Sequence, residues 1–408
     1  MDLAAERLAA GQQLQRLREA AGVPIQHLAA KSGISAEDLL ALEGGKDDIS
    51  GDQLADIAAS LNISPLAVLE PQSLLGQMAL ATRMNSEEEL SATTASRVIG
   101  LAELHWALKE GGQPAFPSVD WSPQIPISNW LARSNEIAEW AIERYSIFER
   151  ENKNHNRFAS LVAFIEDEFQ IDVMVDSLGS EGPEGVSIVN DEFPFILINQ
   201  DRSRPRALFT LAHELGHILN GETITLRIDR DLKARTDDER IANAFAAAFL
   251  MPENDIIRII EESGRKGIAL ARMMVDFGVS FESLVYRLHN LQIINANGRD
   301  ELRRVGWGGL LDSVEDEETT RILLAARGSR PERRMPIWLV WRCLHGVFDG
   351  IISAAPLADL LGVDIEELID AVNAMRSDSK DTINAYYGSP RDSQEITISS
   401  FDADPISL

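Results

Sequence analysis

The sequence FILINQDRSRPRALFTLAHELGHIL, residues 195–219, combines a short apolar strand with a longer apolar helix. Pro205 suits the first turn of that helix, because a proline there loses no intrahelical hydrogen bond. The second half of the stretch has apolar residues at helical spacing, which predicts that this helix is buried. The stretch therefore predicts a strand that leads into a buried helix, as in a mixed α and β domain.

The pentapeptide HELGH within that helix predicts a metal site. Residues four apart in a helix project about 40° apart, so His213 and His217 can bind one cation. Neutral imidazole is a good zinc ligand, and Glu214, beside the cation, can take a proton from water. The alternative is a pair of structural histidines, which would be costly polar groups in a buried segment. We therefore predict one Zn²⁺ per chain, with Glu214 as the general base.

A catalytic zinc ion needs a third protein ligand and one open position. A longer histidine motif would place that ligand at position 223, which is Thr223. The predicted helix ERIANAFAAAFLMP, 239–252, begins with Glu239, and Asn243 one turn later could orient it by a hydrogen bond. Glu239 could also be an acidic residue that the helix dipole favours at an N-terminus. Weaker candidates for the third ligand are Asp237, Asp238 and Glu222.

The remaining patterns predict a mainly α, or α+β, chain with a small sheet. Strands are predicted at Gln170–Val175, Val186–Val189 and Phe195–Asn199, the last two joined by a turn at Asn190 and Asp191. Helices are predicted near 128–150, 155–169 and 236–250. Three segments, 28–39, 273–284 and 357–368, share glycine, serine or aspartate, glutamate and leucine at one spacing, typical of a helix, a tight turn and a capped helix. Three unrelated packing units are favoured over a true duplication.

The pattern of the N-terminal residues predicts five short helices with a tight turn between the second and third, which indicates a helix-turn-helix domain. We predict five regions: this domain at 1–72, a helical and proline-rich connector at 73–127, the metal-site domain at 128–298, a helical region of unassigned role at 299–375, and a disordered tail at 376–408.

The charge of the chain opposes general binding to nucleic acid. Its net charge is −27, and residues 1–70 contain 11 acidic and 5 basic residues. The candidate recognition helix and its end, 35–48, contain five acidic residues against one lysine. Candidate nucleic-acid contacts are Gln26, Lys31, Ser35 and Lys46. DNA binding and protein binding by this domain remain equal alternatives.

The chain has one cysteine, Cys343, so no disulfide can form within it. It starts MDLAAERLAAGQQ, without a basic signal region, and no apolar run reaches the length of a membrane span. We expect a soluble, cytoplasmic protein with no membrane partner. A homodimer is possible.

The segments DEFPFILINQDRSRPRALFTLAHELGHIL and ERIANAFAAAFLMP together resemble the ImmA/IrrE family of metallopeptidases. The N-terminal region resembles an XRE-family helix-turn-helix domain, and the two resemblances cover about 5–70 and 130–295. The first implies a zincin-like domain and a zinc-dependent endopeptidase that cleaves a transcriptional repressor. By this resemblance His213, His217 and Glu239 bind zinc, Glu214 is the base, and the FILIN strand pairs with an extended substrate.

Other interpretations remain open. Tyr286 and Arg287 could stabilise the oxyanion of the transition state, although ordinary helix positions are the simpler interpretation. The protein could be a DNA-binding transcriptional regulator or antitoxin whose peptidase fold is only a sensor or scaffold. It could also be a structural metal-binding module whose cleft is closed to peptides.

Overall fold

The computed structural model describes residues 3–20, 23–61, 63, 65–69, 92–112, 129–152, 156–188, 194–221, 227–229, 236–263, 267–314 and 317–377. The chain divides into two compact units. The first contains the described residues of 1–115 and 339–386, and the second contains those of 116–338. The predicted turn at Asn190 and Asp191, the proline-rich segment and most of the predicted tail lie outside the described residues.

The N-terminal part of the first unit is a set of five helices: α1 (Leu3–Ala20), α2 (Ile25–Ser32), α3 (Ala36–Glu43), α4 (Gly51–Leu61) and α5 (Leu66–Leu69). They share a core that includes fully buried Leu14, Leu28 and Leu39. Ser35 caps α3, because its hydroxyl oxygen accepts a hydrogen bond from the Asp38 amide at 3.1 Å. The five predicted helices are therefore present, whereas the function of a helix-turn-helix domain remains a prediction.

The rest of the first unit contains α6 (Ala92–Glu110), α16 (Ile337–Phe348) from Leu339 onward, α17 (Ala354–Leu361) and α18 (Ile365–Ser377). Leu108 of α6 is fully buried beside Gly346 of α16, where a Cβ atom would lie 2.8 Å from the Leu108 side chain. The predicted region 299–375 is therefore divided between the two units. The reason is that its apolar helix faces pack against segments that are distant in sequence.

The second unit is built around a four-stranded sheet: β1 (Asp172–Asp176), β2 (Gly185–Ile188), β3 (Phe195–Asn199) and β4 (Arg227–Asp229). Its helices are α7 (Trp130–Glu151), α8 (Arg157–Phe169), α9 (Arg204–Leu219), α10 (Asp237–Leu250), α11 (Glu253–Ser263), α12 (Gly267–Phe277), α13 (Phe281–Asn290), α14 (Ala296–Ser313) and α15 (Glu317–Gly328). The mainly helical fold with a small sheet is as predicted. The short strand β4 was not predicted, because three residues carry no recognisable alternation.

The order of the strands corrects one expectation. The sheet runs β1-β3-β2-β4, with β1 parallel to β3 and with β2 antiparallel to both β3 and β4. The expectation that the FILIN strand pairs with a substrate is wrong, because this strand is β3 and has a partner on each side. All five of its residues are buried, as is usual for a central strand.

The edge of the sheet at β1 is partly closed by the segment around Arg334. Val175 and Arg334 exchange two backbone hydrogen bonds of 2.9 Å. The Arg334 guanidinium forms a two-pronged contact with the carboxylate of Glu166, whose side chain is 5% exposed, and also donates to the Val173 carbonyl at 2.6 Å. The backbone pairing and the ion pair together hold this segment against β1.

We expect Arg334→Ala to lower the unfolding free energy of the second unit by about 3 kcal/mol. Removal of the Arg334 guanidinium leaves the Glu166 carboxylate buried without its cation. We expect a cost at the lower end for the loss of one partner of a buried ion pair, because the Arg334 side chain is 24% exposed. Hydrogen exchange of the β1 amides measures this free energy for the unit by itself. Arg321→Ala, which removes an arginine that is 75% exposed, is the control and should change nothing measurable. Equal effects of both substitutions would contradict the role of the Arg334 contact.

Three tight turns share one conformation, as the repeated spacing predicts. Each has a glycine with positive φ: Gly33 at 71°, Gly278 at 66° and Gly362 at 73°. The residue two positions later accepts a hydrogen bond from an amide of the next helix in each case, namely Ser35, Ser280 and Asp364. The repeat is thus a local packing unit that occurs in both units of the chain.

No helix in the described ranges is long and apolar enough to cross a lipid bilayer.

Candidate metal centre

The two histidines of HELGH lie on the buried helix α9, and both side chains are fully buried. Their Nε2 atoms are 2.9 Å apart, and the two rings are nearly perpendicular, at 87°. Helical spacing brings the two side chains to one side of α9, as predicted, and packing orients both rings so that the Nε2 atoms face the same small volume.

Glu239 completes this group from the first turn of α10. Thr236 caps α10 by accepting a hydrogen bond from the Glu239 amide at 3.3 Å. The Glu239 carboxylate oxygens lie 3.4 Å from His213 Nε2 and 3.5 Å from His217 Nε2. One ligand atom from each of the three residues therefore lies within 4.8 Å of the other two.

The close approach of α10 to α9 depends on the glycine of HELGH. A Cβ atom on Gly216 would lie 2.8 Å from the Phe245 ring and 3.1 Å from the Ala242 Cα. A side chain at position 216 would therefore push α10 away from α9, and Glu239 with it. The sequence analysis did not predict this role of Gly216. The only signal in the sequence was a glycine inside a helix, where glycine normally lowers stability.

The three residues fit a zinc ion by their chemistry. Two imidazole nitrogens and one carboxylate are a known ligand set of catalytic zinc, and such a set leaves one position open. All three side chains are buried, and a divalent cation would offset the cost of burying a carboxylate there. Among the described residues, this is the one group of three or more histidine, cysteine, aspartate or glutamate side chains that could hold a metal ion.

Glu214 is also fully buried, and it lies where α9 faces strand β2. A Cβ atom on Gly185 would lie 2.8 Å from the Glu214 Oε1 atom, so the backbone of β2 passes directly beside this carboxylate. The predicted base therefore lies on the same helix as the two histidines, between that helix and the sheet.

The weaker ligand candidates are not part of the group. Asp237 and Asp238 are exposed, and the Asp237 carboxylate accepts a hydrogen bond from Arg240 at 3.1 Å. Glu222 lies outside the described residues.

Asn243 and Tyr286 line a large cleft of the second unit, and the walls of this cleft do not include the two histidines, Glu214 or Glu239. Tyr286 is 39% exposed, and the Arg303 guanidinium lies 5.3 Å from the centre of its ring. Arg287 donates to the Met251 carbonyl at 3.1 Å, and burial lowers the pKa of its guanidinium. The structure thus does not bring Tyr286 or Arg287 into the metal group.

The candidate nucleic-acid contacts lie on the surface of the N-terminal set of five helices and their turns. Gln26, Lys31, Ser35 and Lys46 are all exposed. The Ser35 hydroxyl is occupied within its own helix, because it also donates to the Asp38 carboxylate at 2.7 Å. The other three side chains are placed where a partner could reach them.

Residues 166–289 match the family profile described as the IrrE N-terminal-like domain, Peptidase_M78. Both histidines, Glu214 and Glu239 lie within this match. The chain is also 39% identical over 102 residues to the radiation response metalloprotease IrrE of Deinococcus radiodurans. That similarity covers 24% of this chain and 31% of the relative, so the chain spans about a third of the length of the curated relative it matches.

Proposed function

On the premise that residues 166–289 are an IrrE N-terminal-like domain of the peptidase M78 family, we propose that this chain is a zinc-dependent endopeptidase. The observation that carries the proposal is the buried group of His213, His217 and Glu239, whose ligand atoms lie within 4.8 Å of one another. The name of the similar protein, a metalloprotease, supports the same reaction class.

In the proposed mechanism, His213, His217 and Glu239 hold the zinc ion. When bound, zinc would act as a Lewis acid, which polarises the scissile carbonyl and lowers the pKa of water. A Glu214 carboxylate oxygen takes a proton from the attacking water and later delivers it to the leaving amine. Burial strengthens these electrostatic effects, because less water surrounds the charges to screen them.

We propose that the substrate is a protein, and that a transcriptional repressor is the best candidate. An extended segment of the substrate would add to the sheet at β4. Two observations support this edge: β3 is internal, and Arg334 occupies part of the β1 edge. In addition, β4 pairs with β2, and β2 is the strand that approaches Glu214.

We further propose that the N-terminal domain recruits a protein partner, which could be the repressor or a second copy of this chain. Helix α3 presents Glu37 and Asp38 to solvent beside Leu40, whose exposed fraction is 56%. An acidic surface with an exposed leucine is better suited to a basic and apolar protein surface than to phosphates. DNA binding through Gln26, Lys31 and Lys46 is the alternative.

The proposed reaction is tested with the purified full chain and a peptide library derived from a bacterial proteome. We expect one zinc ion per chain by elemental analysis, and new peptide ends, identified by mass spectrometry, that disappear when a chelator is added. A chain that binds no zinc and produces no chelator-sensitive ends would reject the proposal. Selection from random DNA duplexes tests the alternative: sequence-selective, salt-sensitive binding that Glu214→Gln leaves intact would favour a regulator.

A further inference from the structure

The absence of a side chain at position 185 creates the space that the Glu214 carboxylate occupies. A Cβ atom at this position would lie 2.8 Å from Glu214 Oε1, 2.8 Å from Thr210 Cγ2 and 3.4 Å from the Leu197 carbonyl oxygen. The first two distances are shorter than van der Waals contact, so at least one of those groups must move if residue 185 has a side chain.

The backbone at position 185 does not itself require glycine. Gly185 is in a regular strand, paired with Ile198 on one side and Asp229 on the other. It is not among the glycines with positive φ. An alanine could therefore adopt this backbone conformation without strain, and its cost would fall on the neighbouring side chains.

The two neighbouring side chains differ in how easily they can move. Thr210 and Glu214 are one helical turn apart on α9, and both are fully buried. Thr210 is β-branched and therefore has few rotamers in a helix. The Glu214 carboxylate is at the end of a longer and more flexible side chain, so it is the group that an added methyl would displace.

We infer that Gly185 is a positioning residue for the general base, and this inference rests on the proposed peptidase function. Proton transfer requires the carboxylate to be within hydrogen-bonding distance of the water. A misplacement of about 1 Å in an active site can cost about 100-fold in rate. A side chain at position 185 would thus reduce turnover without removing any metal ligand.

The test is Gly185→Ala in the full chain. We expect kcat to fall about 100-fold, KM to change little, and zinc to stay at one ion per chain. Gly308→Ala is the matched control in the same unit, because a Cβ atom there would have no neighbour within 4 Å. A folded, zinc-loaded Gly185→Ala protein with the kcat of the control would overturn the inference.

A second variant separates the two steric contacts. Thr210→Ser removes the Thr210 methyl and keeps the hydroxyl, so Gly185→Ala combined with Thr210→Ser relieves one contact and keeps the one with Glu214. We expect this double variant to fold even if the single variant does not, and to keep the low kcat. If the double variant recovered the kcat of the Thr210→Ser single variant, the inference would be overturned. The contact with the Thr210 methyl, and not the contact with Glu214, would then have caused the loss.

The position of the carboxylate can be measured without any substrate. We expect a crystal structure of the zinc-loaded alanine variant to show the Glu214 carboxylate displaced from its position in the unmodified protein. An unmoved carboxylate would refute the positioning role. If the unmodified protein binds zinc but has no peptidase activity, the proposed function fails, whereas this structural comparison still decides whether residue 185 positions Glu214.

Discussion

Replacing Glu214 with glutamine is expected to lower kcat by a factor of about 100 to 10,000, the range that general acid–base catalysis contributes. Glutamine has nearly the same shape, so it fits the fully buried position beside β2. Its amide cannot accept the proton of the attacking water. Because Glu214 is not among the three residues that we propose as metal ligands, zinc should remain at one ion per chain. Steady-state kinetics and elemental analysis of the same preparation measure both quantities.

The control for this substitution is Glu261→Gln. Glu261 is exposed on α11 and lies outside the metal group, so its loss of charge should leave kcat unchanged. If Glu214→Gln retained the kcat of this control, another group would have to be the base. If it instead lost zinc, Glu214 would have to be assigned to the metal site.

Replacing Glu239 with alanine is expected to weaken zinc binding by more than about 100-fold. Loss of a residue that only orients a ligand already costs about 10- to 100-fold in metal affinity, and loss of a ligand should cost more. The two histidines would then be the remaining ligands of the group, which would have lost its carboxylate ligand. Competition with a chromophoric chelator measures the dissociation constant, and kcat under zinc-limited conditions should fall in parallel.

Asp238→Ala is the matched control, since it removes a carboxylate from the same turn of α10. Asp238 is exposed, so this variant should bind zinc as tightly as the unmodified chain. The comparison also tests the alternative third ligands directly. If zinc binding were weakened in the Asp238 variant and normal in the Glu239 variant, Asp238 and not Glu239 would be the third ligand.

The sequence predicted that His213, Glu214 and His217 lie together on one buried helix, because their relation depends on that helix alone. The distance between positions four apart in a helix follows from the backbone geometry, whatever the rest of the fold does. The helix could be recognised because its apolar residues recur at helical spacing, and most of its side chains from Ala207 onward are buried. The three repeated turns were predictable for the same reason, since a glycine and a capping residue act over a few positions.

The sequence made Glu239 a candidate ligand, but only the packing of two helices places it. Its carboxylate reaches the histidines because α10 packs closely on α9 at Gly216. The role of Gly185 was missed altogether, although a glycine inside a strand is a recognised sign of a close approach by another group. Neither the helix contact at Gly216 nor the contact of Gly185 with Glu214 can be recognised from sequence periodicity, because each joins residues from two elements.

The pairing of the strands also separates what the sequence determines from what the tertiary structure decides. The apolar run FILIN predicted a strand, and burial of all five residues agrees with that, but only the fold decided that it is internal to the sheet. The sequence by itself determined the HELGH helix, the three longer strands and the capped turns, because backbone geometry and nearby side chains specify them. The tertiary structure decided which carboxylate joins the histidines, which strands are edges and how the C-terminal helices divide between the units. These features depend on packing between distant segments, and no local pattern specifies such packing.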